Sequence, residues 1–174
     1  MVINLITADL LPMLIFGAMK AATVHEIKQE LSSLPAPKLV EICLRLAKFK
    51  KDNKELLTYL LFEASDLSEY IANVKKEMDL GFEELPKPNL YLTKKSLRKV
   101  LRVTTRQIRY AGAPQAEVEL LTYFLQRVRQ SGIPIDKHPV LTNLYQGQLK
   151  KVRSVIATLH EDLQYDYERE LKGL

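Results

Sequence analysis

The chain has 174 residues, of which 47% are hydrophobic and 27% charged, and its formal net charge is +5. That length suits one domain, or one domain with an appendage, and lets folding bury roughly 70% of the surface the unfolded chain exposes. A single cysteine, Cys43, excludes an intramolecular disulfide and a cysteine-built zinc site. A disulfide-free chain suits a reducing compartment, so a cytoplasmic location is expected. Glycines are few, tryptophan is absent, and Leu, Lys, Glu, Ala and Arg dominate, all good helix formers. The expected fold class is all-α, a compact bundle or short array of six to seven helices.

Residues 10–19 (LLPMLIFGAM) are too short for a membrane span, which needs about 20 apolar residues. No Lys or Arg precedes them and no clean cleavage site follows, so they do not read as a signal peptide. Met19 looks like a start of its own. Residues 1–18 are therefore expected to be a loosely attached extension or a mis-called start, and 19–174 a single helical domain. Residues 23–26 (TVHE) form a capping box, and Val24, Ile27, Leu31 and Leu34 follow at helical spacing, which predicts a helix to about Ser33. Pro35 ends it, and Pro37 suits the first turn of a second helix carrying Leu39, Val40, Ile42, Cys43, Leu46 and Phe49. Cys43 reads as a small buried hydrophobe.

Leu57, Leu60, Ala64, Leu67, Ile71, Val74 and Met78 alternate steps of three and four. They predict one long helix over about 53–79 capped by Gly81, unless the second capping pair, Asp66 and Glu69, breaks it near Ser65. Residues 86–89 (PKPN) are the clearest linker and divide the domain into two subhalves. Thr93 or Ser96 then starts a helix to about Ala111. After Gly112 a further helix runs to Gly132, with Val118, Leu121, Phe124, Leu125 and Val128 inward. The last helix is expected over about 140–171, with Gly147 as a candidate bend. Leu44, Leu46, Leu60, Ile71, Leu101, Leu121, Phe124, Val152 and Leu159 form the expected core.

Residues 34–61 (LPAPKLVEICLRLAKFKKDNKELLTYLL) resemble the signature of an uncharacterised bacterial all-helical family, through the entry PAPKLV and the run FKKDNKE. The resemblance implies a helical fold in a bacterial cytoplasm. It implies no activity, substrate or catalytic residue.

Enzyme motifs are absent. The three histidines, His25, His138 and His160, fall on different predicted elements. Residues 160–164 (HEDLQ) begin like the helical zinc-protease motif, but Gln164 stands where the second imidazole must be. No Gly-rich phosphate loop, nucleophile elbow or dinucleotide fingerprint occurs. No catalytic, cofactor-binding or metal-binding residue is expected.

The charge is concentrated. Residues 86–116 hold eight Lys or Arg and no acid, while the flanking segments are neutral or slightly negative. At 100° per residue, Lys94, Lys95, Arg98, Lys99, Arg102, Arg106 and Arg109 share an arc of about 140°. Leu97, Val100, Leu101, Thr104, Ile108 and Ala111 take the other side. Such a face can bind phosphates of nucleic acid or another anionic partner. It can equally pack across the chain's own acids, such as Glu63, Glu69, Glu77, Glu83 and Glu84, or simply be solvated. With no Trp or Phe on the apolar side, a membrane role is not expected. The expected function is a small non-catalytic helical interaction or structural module with a protein partner. The alternative is nucleic-acid or polyanion binding through residues 94–109; the sequence leaves oligomeric state open.

Overall fold

A computed structural model describes residues 20–86 and 89–174. All regular structure among them is helical. The α-helices are α1 (Val24–Ser33), α2 (Ala36–Phe49), α3 (Lys51–Thr58), α4 (Leu67–Glu83), α5 (Leu90–Ala111), α6 (Pro114–Gln130), α7 (Pro139–Ile156) and α8 (Glu161–Leu171). A π-helical turn, Tyr59–Glu63, follows α3, and a 3-10 turn, Ile135–Lys137, precedes α7. The fold is all-α. No described helix is long and apolar enough to cross a membrane. The expectation about residues 1–18 lies outside the described residues, as do Lys87 and Pro88 of the linker.

The chain divides into two units, Met1–Leu44 and Arg45–Leu174. In the first, the capping box of α1 is complete. Thr23 Oγ1 accepts from the Glu26 N–H at 3.3 Å, and Glu26 Oε2 accepts from the Thr23 N–H at 2.7 Å. Val24, Ile27, Leu31 and Leu39 line a shallow groove of about 330 Å³. No residue of α1 or α2 is buried. Cys43 is exposed, which corrects its reading as a buried hydrophobe.

The second unit is built around α6. Eight of its seventeen residues are buried, Ala116, Val118, Leu120, Leu121, Thr122, Phe124, Leu125 and Val128, and they occupy more than one side of the helix. The surroundings explain this, since α4, α5 and α7 all pack on α6, and α8 packs on α7. Phe124 meets Phe82 of α4 with ring centroids 5.7 Å apart, and Leu97 of α5 and Val152 of α7 are fully buried. Gly112 ends α5 at φ +60°, a left-handed conformation that glycine adopts without a Cβ clash.

The helix over 53–79 is interrupted near Ser65, the alternative that the Asp66–Glu69 capping pair offered, and two other local expectations are corrected. The Ala64 N–H reaches back five residues to the Tyr59 carbonyl at 2.9 Å, and Asp66 caps α4 by accepting from the Glu69 N–H at 2.8 Å. Gly81 is no cap; it lies inside α4, where a Cβ would stand 2.7 Å from Val100 Cγ2. The helix over 140–171 is two, separated at residues 157–160 rather than bent at Gly147. Among the described residues this gives eight α-helices, close to the six to seven expected.

Of the expected core, Ile71, Leu121, Phe124 and Val152 are buried, and Leu101 and Leu159 are half-buried. Leu44, Leu46 and Leu60 are exposed, Leu60 by 56%. In the π turn the wider i to i+5 spacing advances the register, so Tyr59 turns inward and Leu60, Leu61 and Phe62 turn out.

Candidate polyanion-binding face

The start of α5 decides which side chains share its outer face. Asn89 is the N-cap, its side chain accepting from the Leu92 N–H at 3.1 Å. Thr93, an expected start, lies a turn inside, its buried hydroxyl donating to the Pro86 carbonyl at 2.8 Å. Residues 90–92, ahead of both expected starts, are therefore helical. Thr93, Leu97, Thr104 and Ile108 are buried toward the core. On the other side Lys95, Arg98, Lys99, Arg102 and Arg109 are exposed, and Lys94 and Arg106 are half-buried.

This face is costly to its own helix. Lys94–Arg98, Lys95–Lys99, Arg98–Arg102 and Arg102–Arg106 are like-charged neighbours four residues apart, each destabilising by about 0.2–0.5 kcal/mol. The first turn of α5 contains no acid to offset the positive end of the helix dipole. Only Arg109, in the last turn, is favourably placed.

Among the described residues, carboxylates answer one of the seven cations. Arg106 Nε lies 3.3 Å from Glu55 Oε2, and its Nη1 lies 3.7 Å from Asp52 Oδ1. Both acids belong to α3. Among the described residues, Lys94, Lys95, Arg98, Lys99, Arg102 and Arg109 form no ion pair. The acids considered from sequence, Glu63, Glu69, Glu77, Glu83 and Glu84, form none with this face. Glu77 and Glu84 do line a groove of about 250 Å³ beside Lys99, between α4 and α5.

Arg106 belongs to a polar network that ties α3 to α5. Tyr110 donates its hydroxyl to Glu55 Oε2 at 2.9 Å, and Lys51 stands 3.3 Å from Glu55 Oε1. Burial alone would raise the Glu55 pKa, but the Tyr110 hydrogen bond and the Lys51 and Arg106 charges together hold it below the ordinary value of 4.5. Burial and the bond to Glu55 push the Tyr110 hydroxyl up to about 12. Nearby, Tyr70 packs on Tyr59 at 4.6 Å and donates to the Gln107 side chain at 2.8 Å. Arg106 thus has a structural task that the other six cations lack.

Among the described residues no group of three or more His, Cys, Asp or Glu is arranged to hold a metal ion. His160 is exposed at the N-cap of α8, within 3.3 Å of Asp162. The residue that sequence reasoning missed is Tyr91, exposed by 71%. With α5 beginning at Leu90 it joins the cationic face, together with Lys94, Lys95, Ser96, Arg98, Lys99 and Arg102 around a groove of about 520 Å³. The signal was present as spacing: Tyr91 precedes Lys95 by four residues and Arg98 by seven. No family model, curated protein or solved structure matches the chain.

Proposed function

We propose that the protein is a non-catalytic interaction module that binds a polyanion, with nucleic acid as the favoured class, along the outer face of α5. One observation carries this reading. Six of seven cations on the face lack a carboxylate partner among the described residues, in a chain with 21 acids. A helix that bears this much self-repulsion without internal relief gains stability when phosphates sit opposite. Residues 94–109 rise about 22 Å along the axis, enough to meet several successive phosphates. The resemblance of residues 34–61 to a bacterial helical family adds no activity to this reading.

The test is a titration of labelled oligonucleotides at low salt against the parent chain and a variant with Lys95, Arg98, Arg102 and Arg109 changed to Gln. Arg106 stays in place because it holds Glu55. About five phosphate contacts give a log–log salt slope near −4.5 on duplex and about −3.5 on a single strand, so affinity falls roughly 500-fold or about 130-fold, respectively, between about 50 and 200 mM salt. Absent binding, or binding unchanged in the variant, overturns the reading.

A second reading, a protein partner, is favoured by different residues. In the Arg45–Leu174 unit Leu46, Phe49, Leu60, Leu61 and Phe62 are exposed, Phe62 by 75%. Large open apolar side chains in number mark interaction surfaces more often than single ones do. Capture of a partner that is lost on Phe49→Ser with Phe62→Ser, and kept when the α5 cations are replaced, puts this reading first.

A further inference from the structure

We infer that the polyanion favoured by the α5 face is single-stranded nucleic acid, with an unpaired base stacking on Tyr91. The inference rests on the polyanion reading and names the ligand class within it. Tyr91 and Arg109 are 18 residues apart, five whole turns, so they lie at the same angle around the helix. Arg98 and Arg102 fall within about 20° of that line on either side. Tyr91 therefore stands on the midline of the cationic arc, not at its edge. Its ring is exposed, and among the described residues it makes no aromatic contact and its hydroxyl forms no hydrogen bond. The groove beside it is lined otherwise by Ser96 and the cations from Lys94 to Arg102.

A duplex presents phosphates and keeps its bases stacked inside, so it has no use for a flat aromatic face between cations. A single strand presents both a phosphate chain and bare base faces. Cations that track the backbone, with aromatic rings on which bases stack, are the usual composition of single-strand binding surfaces. The stack is tolerant of sequence because every base has a π face. No base-reading specificity is expected here.

The chain contains no tryptophan, which permits a direct probe. Tyr91→Trp places one indole on the face, and its fluorescence is read while a dT oligonucleotide, the matching duplex or inorganic polyphosphate is added at low salt. Quenching by the single strand, with little change on adding polyphosphate, is expected. In parallel, anisotropy titrations compare the parent with Tyr91→Ala and Tyr91→Phe. Tyr91→Ala should weaken single-strand binding roughly tenfold while polyphosphate binding and the salt slope stay as in the parent, and Tyr91→Phe should retain the parent affinity. If polyphosphate binds but Tyr91→Ala leaves single-strand affinity unchanged, or if the duplex binds more tightly, the stacking inference fails and the polyanion reading stands. If neither polyphosphate nor oligonucleotide binds the parent, both fall.

Discussion

Helices α2 and α6 have much the same sequence character and opposite fates. Both have a proline in the first turn, both are apolar at helical spacing, and both carry charges between the apolar positions. α6 buries Phe124, Leu120, Leu121, Leu125 and Val118 completely, whereas α2 buries nothing. Periodicity reports that a helix has an apolar face. Whether the face is covered depends on which other elements reach it, and α6 has three neighbours around it.

The largest effects should follow that contrast. Phe124→Ala is expected to cost about 3–5 kcal/mol and Leu121→Ala about 2–5, because each leaves a cavity in a filled core. Leu44→Ala and Leu46→Ala in α2 should stay within about 0.5 kcal/mol. Urea denaturation decides it, read as a shift in midpoint at constant slope. A cost above about 2 kcal/mol at Leu44 or Leu46 would show that the α2 face is covered in solution, and the contrast would collapse.

The same contrast explains what could be read from the sequence. Signals within a few residues were legible: the Thr23 box, the Asp66 cap, and Gly112 past the end of α5. The cationic arc of α5 was legible too, because it depends only on spacing within one helix. What was hidden depends on distant partners. Glu55 and Asp52, which engage Arg106, lie some fifty residues away in sequence. The break between α7 and α8 was masked because Ile156, Leu159 and Leu163 continue the apolar stripe across it. Tyr91 was missed because Asn89 caps α5 earlier than Thr93 or Ser96 would.

A pair of glycines sharpens the comparison at intermediate size. Gly81 sits where α4 and α5 approach, 2.7 Å from Val100 Cγ2 on an ideal Cβ. Val100 is β-branched and on a helix, so it has little rotamer freedom to yield. Overpacking there costs about 1–3 kcal/mol, partly offset by about 1 kcal/mol of helix propensity. Gly147 has open space around it in α7. Gly147→Ala should therefore stabilise by about 0.5–1 kcal/mol, and Gly81→Ala should be less stable than it by about 1–3 kcal/mol. Equal melting temperatures for the two variants would mean that α4 and α5 stand farther apart than this.

The smallest effect concerns α3, which belongs to the packed unit yet buries no residue of its own and is tied to α5 through Glu55. The Glu55 pKa is lowered on folding, so its contribution is present above pH 4.5 and is lost as pH falls through the depressed value. Tyr110 is raised from 10.0 to about 12, so its contribution is complete below pH 10 and is lost as pH climbs toward 12. Between those limits the tie holds. Partly exposed ion pairs are worth about 0–1 kcal/mol, too little to move global unfolding by much. They can still govern local opening, because segments with few buried contacts exchange through sub-global fluctuations. Glu55→Gln should therefore speed amide exchange over residues 51–63 by up to about fivefold at neutral pH and leave the α6 amides unchanged. Lowering the pH of the parent below 4.5 should bring its 51–63 segment toward the variant, once intrinsic exchange is corrected for pH, while the variant itself responds less. Equal change in α3 and α6 would mean that the Glu55 network supports the whole unit, and α3 would then belong with α6 rather than with α2.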